Sequence, residues 1–520
     1  MSIKRGSGYL ETLSDFLNQE MKRVDRRLLL GLLILAFLIR IPLLIYPEVI
    51  HNDGWEYIRH ARQILAWDWT TGKSHPFYPS LIALFHFLTA NDEMAGIWVS
   101  VILGALAVLP VFYLGRAIFN ERIGIIAAFF AVFHPFLYIY SGSVLTESTF
   151  HFLLATTVLF GWNAFSKGRL RDTLLFSLLT AFSYLTRPES IGFLVIFAAW
   201  VLFVHPPAAK RSWTRRVGIV CLAFFSFLVF SFPYLMQIKK DMGRWQISRK
   251  VSVSMGSFSQ DDSEVPIELL PIKKKFTLSS LIRSPLTLAE KIGEGGLESL
   301  YVFQQVYPTI LAGLLVLGLL ITRGRSLSLK GNLYLVSYLA YFFALVHPFF
   351  WISRRYSSHV VAIALPWAAF GFVAVAQWVS KKLKNEALRR KFPAILFIFV
   401  LFVLFIQGQL VRPRDNRVLR KEAGFWMKEH LPAESVMGSR PQEAFYAERP
   451  WVKMPTGTYD EIITMARSKG IRYLIVDEKT EASSPGFLEK AKQGELIPVM
   501  EWKQESQRLW LFEIPNSKGT

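Results

Sequence analysis

Cysteine is almost absent from this chain: of 520 residues only Cys221 is one, and it stands inside an apolar run. That excludes an intrachain disulfide and any metal site built on thiolates, and a small buried apolar residue is the expectation for Cys221. Charge is scarce too. Asp, Glu, Lys and Arg make up 19% of the residues, below the ~25% of an average soluble protein. No internal repeat of the transporter kind is visible. What the chain has instead is long apolar runs, with 52% hydrophobic residues and a mean hydropathy of +0.32. These suffice for several membrane-spanning helices and leave room for one soluble domain of ordinary size.

The formal net charge of +20 would suggest nucleic acid in a soluble protein. Here the basic residues lie in short clusters between apolar runs, which is the signature of membrane topology, so no nucleic-acid partner is expected. Runs of span length fall at 28–46, 94–115, 123–141, 144–165, 216–236, 303–322, 331–350, 359–380 and 392–411. The stretch 172–205 holds two short spans broken at "TRPES" by Pro188, which makes eleven. The segment 75–90, "HPFYPSLIALFHFLTA", is short and opens with two prolines. It reads as re-entrant or interfacial, with a full span as the fallback. The first run starts near Leu28 and lacks a small-residue cleavage site, so it reads as a signal anchor.

With residues 1–27 cytoplasmic, the internal segments collect the clusters around Arg26, Arg116, Arg169, Arg211, Arg323 and Arg389. Counting 75–90 as a span would put most of them on the wrong side. The expectation is an α-helical polytopic protein of the inner (plasma) membrane, N-terminus cytoplasmic, with its membrane unit at 28–411. External loops fall at 47–93 and 237–302; the second, with the amphipathic pieces "IELLPIKKKF" and "LTLAEKIGEGGLESL", is a candidate lid. Residues 412–520 form an extracytoplasmic tail. There the helical patterns "VLRKEAGFWMKEHL" and "YDEIITMARSKG" alternate with strand-like pieces such as "IRYLIVDE" and "RLWLFEI", which argues a small α/β domain. The tail has no glycine-rich phosphate loop and no metal-ligand spacing.

This topology sorts the polar residues by side. Asp53 and Glu56 lie in the first external loop, within "HNDGWEYIRHARQIL", and Glu147 lies in "SGSVLTES". Arg187 and Glu189 lie in "TRPES", and Arg354, Arg355 and Tyr356 in "WISRRYSSH". Acids and arginines from four loops thus reach one membrane face. A charged side chain inside the hydrocarbon costs about 2.5–3.5 kcal/mol, so carboxylates at this boundary need a reason. Residues 53–66 fit a helix on the membrane, with Trp55, Ile58, Ala61 and Leu65 on its apolar side and Asp53, Glu56, His60 and Gln63 on its polar side. Asp53 is then a helix cap, a catalytic carboxylate, or both. Arg354 and Arg355 suit phosphate, because a guanidinium fork matches its oxygens and keeps its charge; a snorkelling pair is the alternative. His75 is a metal ligand, a donor to substrate, or a loop histidine. Arg187 and Glu189 bind substrate or pair with each other.

An outward-facing site beside a lipid-embedded arginine pair implies a phospholipid substrate that carries a transferable group. Nucleotide sugars and ATP are absent outside the cytoplasmic membrane, so the activated sugar arrives on a carrier such as a polyprenyl phosphate. One carboxylate base would deprotonate the acceptor hydroxyl for inverting attack at the anomeric carbon, unlike a glycosidase, where an acid protonates the leaving oxygen. Two rivals stand beside this: a transporter or flippase of lipid-linked saccharide, and a non-catalytic envelope-binding homologue.

The runs "HNDGWEYIRHARQIL", "HPFYPSLIAL", "YLGRAIFNERIGIIAAFFAVFHPF", "SGSVLTES" and "SYLTRPES" resemble the GT-C superfamily of integral-membrane glycosyltransferases. Within it they are most similar to the bacterial branch related to protein O-mannosyltransferases and lipid A aminoarabinose transferases. The resemblance covers residues 28–200 best. It implies a catalytic base at Asp53, a further acid at Glu147, and a lipid phosphate held by Arg354 and Arg355. Glu56, Tyr57, His75, Arg187 and Tyr356 fall beside these as substrate-binding candidates. The implied partners are a polyprenyl-phosphate sugar, membrane lipid, and an acceptor that is protein, lipid or glycan. One departure concerns metal: the family's Asp-Glu pair reads Asp53-Gly54 here, so a divalent cation, used by some members and held by Asp53 and Glu147 if present, is left open.

Overall fold

Apolar runs become helices, and polar punctuation ends them. The computed structural model describes residues 26–47, 49–72, 74–206, 212–249, 285–321, 326–349, 352–410, 418–504 and 507–515. Two units divide these residues, a helical one that reaches residue 410 and a C-terminal α/β one that also takes in residues 49–56.

The helical unit begins with α1 (Arg26–Ile45), α2 (Asn52–Leu65), of which it holds the part from Tyr57 onward, and α3 (Phe77–Thr89). Then come α4 (Asp92–Leu106), α5 (Val108–Ile118), α6 (Glu121–Phe133) and α7 (Pro135–Ile139). The hairpin of α8 (Glu147–Lys167) and α9 (Leu170–Tyr184) leads through a 3-10 turn at Pro188–Ile191 into α10 (Gly192–Phe203). After α11 (Trp213–Met242) follow α12 (Pro285–Val306), α13 (Thr309–Ile321), α14 (Ser326–Ala340), α15 (Val361–Lys382) and α16 (Glu386–Leu410). Among the described residues six helices are long and apolar enough to cross a membrane, or seven if α6 and the 58° bend after it form one span. That bend falls at Pro135, which lacks an amide hydrogen to continue the ladder. At 13 residues α3 is ~20 Å long, short of the ~30 Å hydrocarbon core.

Three expectations are corrected. The run 303–322 is not one helix: α12 starts well inside the expected loop, the chain breaks at Tyr307-Pro308, and α13 is a separate helix of 13 residues. The amphipathic piece "LTLAEKIGEGGLESL" thereby joins the following "YVFQQV" as one 22-residue helix. Cys221 is exposed rather than buried, on the face of α11 that also shows Phe224, Phe225 and Leu228. And α2 buries Tyr57, Ile58, His60 and Ala61, so His60 lies on its packed side, where Nδ1 bonds Ser74 Oγ at 2.8 Å. The lid suggested for 237–302 rests largely on residues outside the described ones.

Packing in the bundle is closest where α13 crosses α15. A Cβ on Gly371 would overlap the Leu314 carbonyl, and one on Gly318 would overlap that of Trp367, so only glycine lets the two backbones meet.

The C-terminal unit is a five-stranded sheet in the order β2-β1-β3-β5-β4. Strands β1 (Val436–Gly438), β2 (Trp451–Lys453) and β3 (Tyr473–Asp477) are parallel, and β4 (Ile497–Gln504) and β5 (Gln507–Glu513) form an antiparallel hairpin beside β3. Alternate residues face opposite layers. Met437, Leu474, Val476 and Phe512 pack with Ile462 and Ala466 of α19 (Tyr459–Ser468). Val436, Tyr473, Ile475 and Leu511 pack with Leu419, Ala423 and Met427 of α17 (Val418–His430). Between these helices in the chain, α18 (Gln442–Tyr446) packs against α17. Strand β3 is buried on both faces, which is why "YLIV" is uninterrupted. Residues 49–56 are tied to this unit by bonds from Ile50 N to Tyr446 OH (2.8 Å) and from Gln442 Nε2 to Asn52 Oδ1 (2.6 Å). Trp55 meets the Trp451 ring edge-on at 5.3 Å.

Candidate active site

Polar residues gather at one end of the helical unit, where α8 starts, α9 finishes and the segment leading into α15 begins. Glu147 is the first residue of α8 and is wholly buried. A carboxylate there is favoured by the amide dipoles of the first turn, but its desolvation must be offset by partners. Arg187 supplies one: Nη2 donates to Glu147 Oε1 at 2.5 Å, while Nε donates to Thr146 Oγ1 at 3.1 Å. Arg355 supplies the other, its Nε donating to the same Oε1 and its Nη2 to Oε2 at 3.3 Å. Glu189 accepts from Arg187 Nη1 at 3.5 Å, so two carboxylates face two guanidinium groups.

Aromatic rings close the cluster. The Arg187 guanidinium lies 4.8 Å from the centre of the Tyr356 ring and 5.6 Å from that of Phe150, within cation–π range. Ser358 Oγ donates to the Arg355 carbonyl at 2.7 Å and lies 3.2 Å from His151 Nε2. Four residues singled out from the sequence, Glu147, Arg187, Arg355 and Tyr356, are therefore brought together, with Glu189 beside them. Arg354 is not among them and is exposed. Thr146, Phe150, His151 and Ser358 were missed; neighbours of an acid at helix spacing were the available signal.

A second cluster joins the loop before α3 to the end of α11. His75 is buried, with Nε2 bonded to Ser248 Oγ at 2.9 Å and its ring 5.1 Å from Tyr234 and 5.5 Å from Tyr184. Asp241 accepts from Thr71 N at 2.7 Å and from its hydroxyl at 2.6 Å, and Arg249 donates to the Thr71 carbonyl. These staples hold 244–249 beside a cavity of about 660 Å³. Its walls are Leu235, Met242, Trp245 and Ile247, and Arg244 and Arg249 project the charge. Lys239 Nζ stands 4.6 Å from the Trp245 ring centre. Apolar walls with guanidinium groups at the rim suit a ligand that is part hydrocarbon and part anion. None of these residues except His75 was singled out: Thr71 lay in the first external loop, Tyr184, Tyr234 and Leu235 in apolar runs, and 239–249 in what read as loop.

Asp53, in the first turn of α2, and Glu56 are half-buried. Tyr57 is buried with its ring edge-on to Tyr78 at 5.3 Å. Among the described residues no three His, Cys, Asp or Glu side chains gather as a metal site. Both oxygens of Glu147 accept from arginine, so this carboxylate does not fit a divalent cation.

Residues 73–235 match the family model of dolichyl-phosphate-mannose-protein mannosyltransferases. No curated protein sequence matches the chain. Among solved structures, ArnT from Cupriavidus metallidurans bound to undecaprenyl phosphate superposes with a TM-score of 0.58 at 11% identity, covering 95% of this chain and 99% of that one. The oligosaccharyltransferase AglB from Archaeoglobus fulgidus, in complex with an inhibitory peptide and a dolichol-phosphate, gives 0.54 at 14% identity, covering 94% and 74%. The chain has the fold of the GT-C superfamily of integral-membrane glycosyltransferases.

Proposed function

We propose that this protein transfers a sugar from a polyprenyl-phosphate carrier to an acceptor hydroxyl at the outer face of the plasma membrane, inverting the anomeric carbon. The N-terminus is cytoplasmic and the α/β unit extracytoplasmic in this reading. The observation that carries it is the cavity of about 660 Å³, whose apolar walls and paired arginines match the two halves of a lipid phosphate. The solved neighbours that hold undecaprenyl phosphate and dolichol-phosphate support the same class of ligand.

Asp53 acts as the base. Its carboxylate takes the proton of the acceptor hydroxyl, and the freed oxygen attacks the anomeric carbon opposite the phosphate. The carbon–oxygen bond to phosphate breaks, and its electron pair leaves on the polyprenyl phosphate. Guanidinium groups stabilise such a leaving charge without giving up a proton. Glu147 contributes by holding Arg187 and Arg355 in place rather than by taking a proton, since both its oxygens already accept.

The test is sugar release from labelled polyprenyl-phosphate donors by the purified chain, with envelope extract as acceptor source and EDTA as an added variable. Asp53→Asn should cost about 10²–10⁴-fold in rate with the melting temperature held. Full activity in that variant removes Asp53 as the base, and no transfer from any donor overturns the function. Loss with EDTA adds a metal.

A further inference from the structure

The α/β unit carries a cavity of its own, about 130 Å³, that no part of the transfer step uses. Its position follows from the sheet topology. The chain leaves β1 for β2 on one side, whereas β3 lies on the other side of β1. Open α/β sheets take their ligands beyond the carboxyl ends of the strands, at such a reversal. Arg440 lies just past β1, and Glu478 and Lys479 just past β3; together with Gln507 and Arg508 at the start of β5 they line the cavity.

The floor is a buried network of charged groups. Arg420 donates to Glu443 and, at 2.7 Å, to Asp477 Oδ2, which also accepts from Ser439 Oγ at 2.7 Å. Asp477 Oδ1 accepts from the Thr480 amide and hydroxyl, each at 2.8 Å. Both oxygens of Asp477 are therefore engaged within the fold. Counted over its whole lining, the cavity has four cations, Arg420, Arg440, Lys479 and Arg508, against the two carboxylates of Asp477 and Glu478. A small concave site with excess positive charge and an amide side chain favours an anion that also bears hydroxyls.

We propose that this cavity binds the anionic group, carboxylate or phosphate, of an acidic sugar. The assignment rests on the α/β unit alone and stands whichever donor the membrane unit uses.

Calorimetric titration of the purified full chain at low salt tests it, with glucuronate, glucose 6-phosphate and glucose as probes. Binding of one or both anions without glucose is expected; glucuronate alone assigns a carboxylate, glucose 6-phosphate alone a phosphate. Arg508 is exposed and lies outside the floor network, so Arg508→Ala should keep the melting temperature. It should weaken anion binding about tenfold or more, the worth of one charge-assisted hydrogen bond; Lys479→Ala should act alike. Arg249→Ala, in the membrane unit, should leave this binding unchanged. The proposal falls if neither anion binds, if glucose binds as well as they do, or if Arg249→Ala removes binding while Arg508→Ala and Lys479→Ala do not.

Discussion

Arg187 and Arg355 donate to the same oxygen, Oε1 of Glu147. Two like charges converge on one buried carboxylate and are tolerable only because it is ionised. Removing that charge should therefore do more harm than removing either arginine. Glu147→Gln should destabilise the helical unit by about 3–5 kcal/mol, read as a fall in melting temperature in detergent. A variant that melts like the wild type yet transfers no sugar would make Glu147 a proton acceptor instead.

The arginines of the large cavity should act on donor binding. Arg249→Ala and Arg244→Ala should each raise the donor KM about tenfold or more, by loss of a charged hydrogen bond to phosphate. The acceptor KM should stay put. Steady-state kinetics with the donor varied decides this; an unchanged donor KM in both variants moves the phosphate elsewhere.

Close approach of α13 and α15 yields a matched pair of substitutions. Gly371→Ala puts a methyl group against the Leu314 carbonyl and should cost about 1–3 kcal/mol by overpacking. Gly313, on α13 too, has nothing near its Cβ position, so Gly313→Ala should leave the melting temperature unchanged or slightly raised. Equal effects in the two would refute the backbone contact.

Stability of the α/β unit should depend on acid through Asp477. Burial on its own raises this carboxyl, but the charge and hydrogen bonds of Arg420, with Ser439 and the Thr480 amide, outweigh it and hold the group well below the usual range. A depressed group stabilises the fold above its unfolded value of about 3.9 and loses that contribution as pH falls through the folded value. Wild-type stability of this unit, followed by its melting temperature, should thus decline from about pH 4 downward. Asp477→Asn should be weaker at neutral pH and flatter in acid; an unchanged acid limb would exclude Asp477 as its source.

Helices were legible because a lipid-facing surface must be apolar along its whole length, and Pro188 marks a break by its missing amide; the bend at Pro135 fell inside 123–141, which read as one span. Strand β3 was legible for a similar reason. Edge strand β4 was not: "IPVMEWKQ" is largely exposed, and neither its composition nor its alternation separates it from loop. The polar residues at the start of α8 were legible as a group, since charge at a membrane boundary is conspicuous. Their pairing was hidden, because Arg355 turns towards Glu147 whereas its neighbour Arg354 is exposed, and that depends on rotation about the chain axis. The large cavity went unseen because most of its residues, Arg244 to Arg249, follow α11 in what read as a polar loop.

The two arginine partners of Glu147 also differ in when synthesis makes them available. Arg187 follows Glu147 by 40 residues and lies at the foot of the same helical hairpin, whereas Arg355 follows by 208. Chains enter the membrane from the N-terminus onward, so the α8–α9 hairpin can arrive with its carboxylate already neutralised. The later helices must then reach a partner that is waiting in position, which makes Glu147 a registration mark for the second half of the bundle.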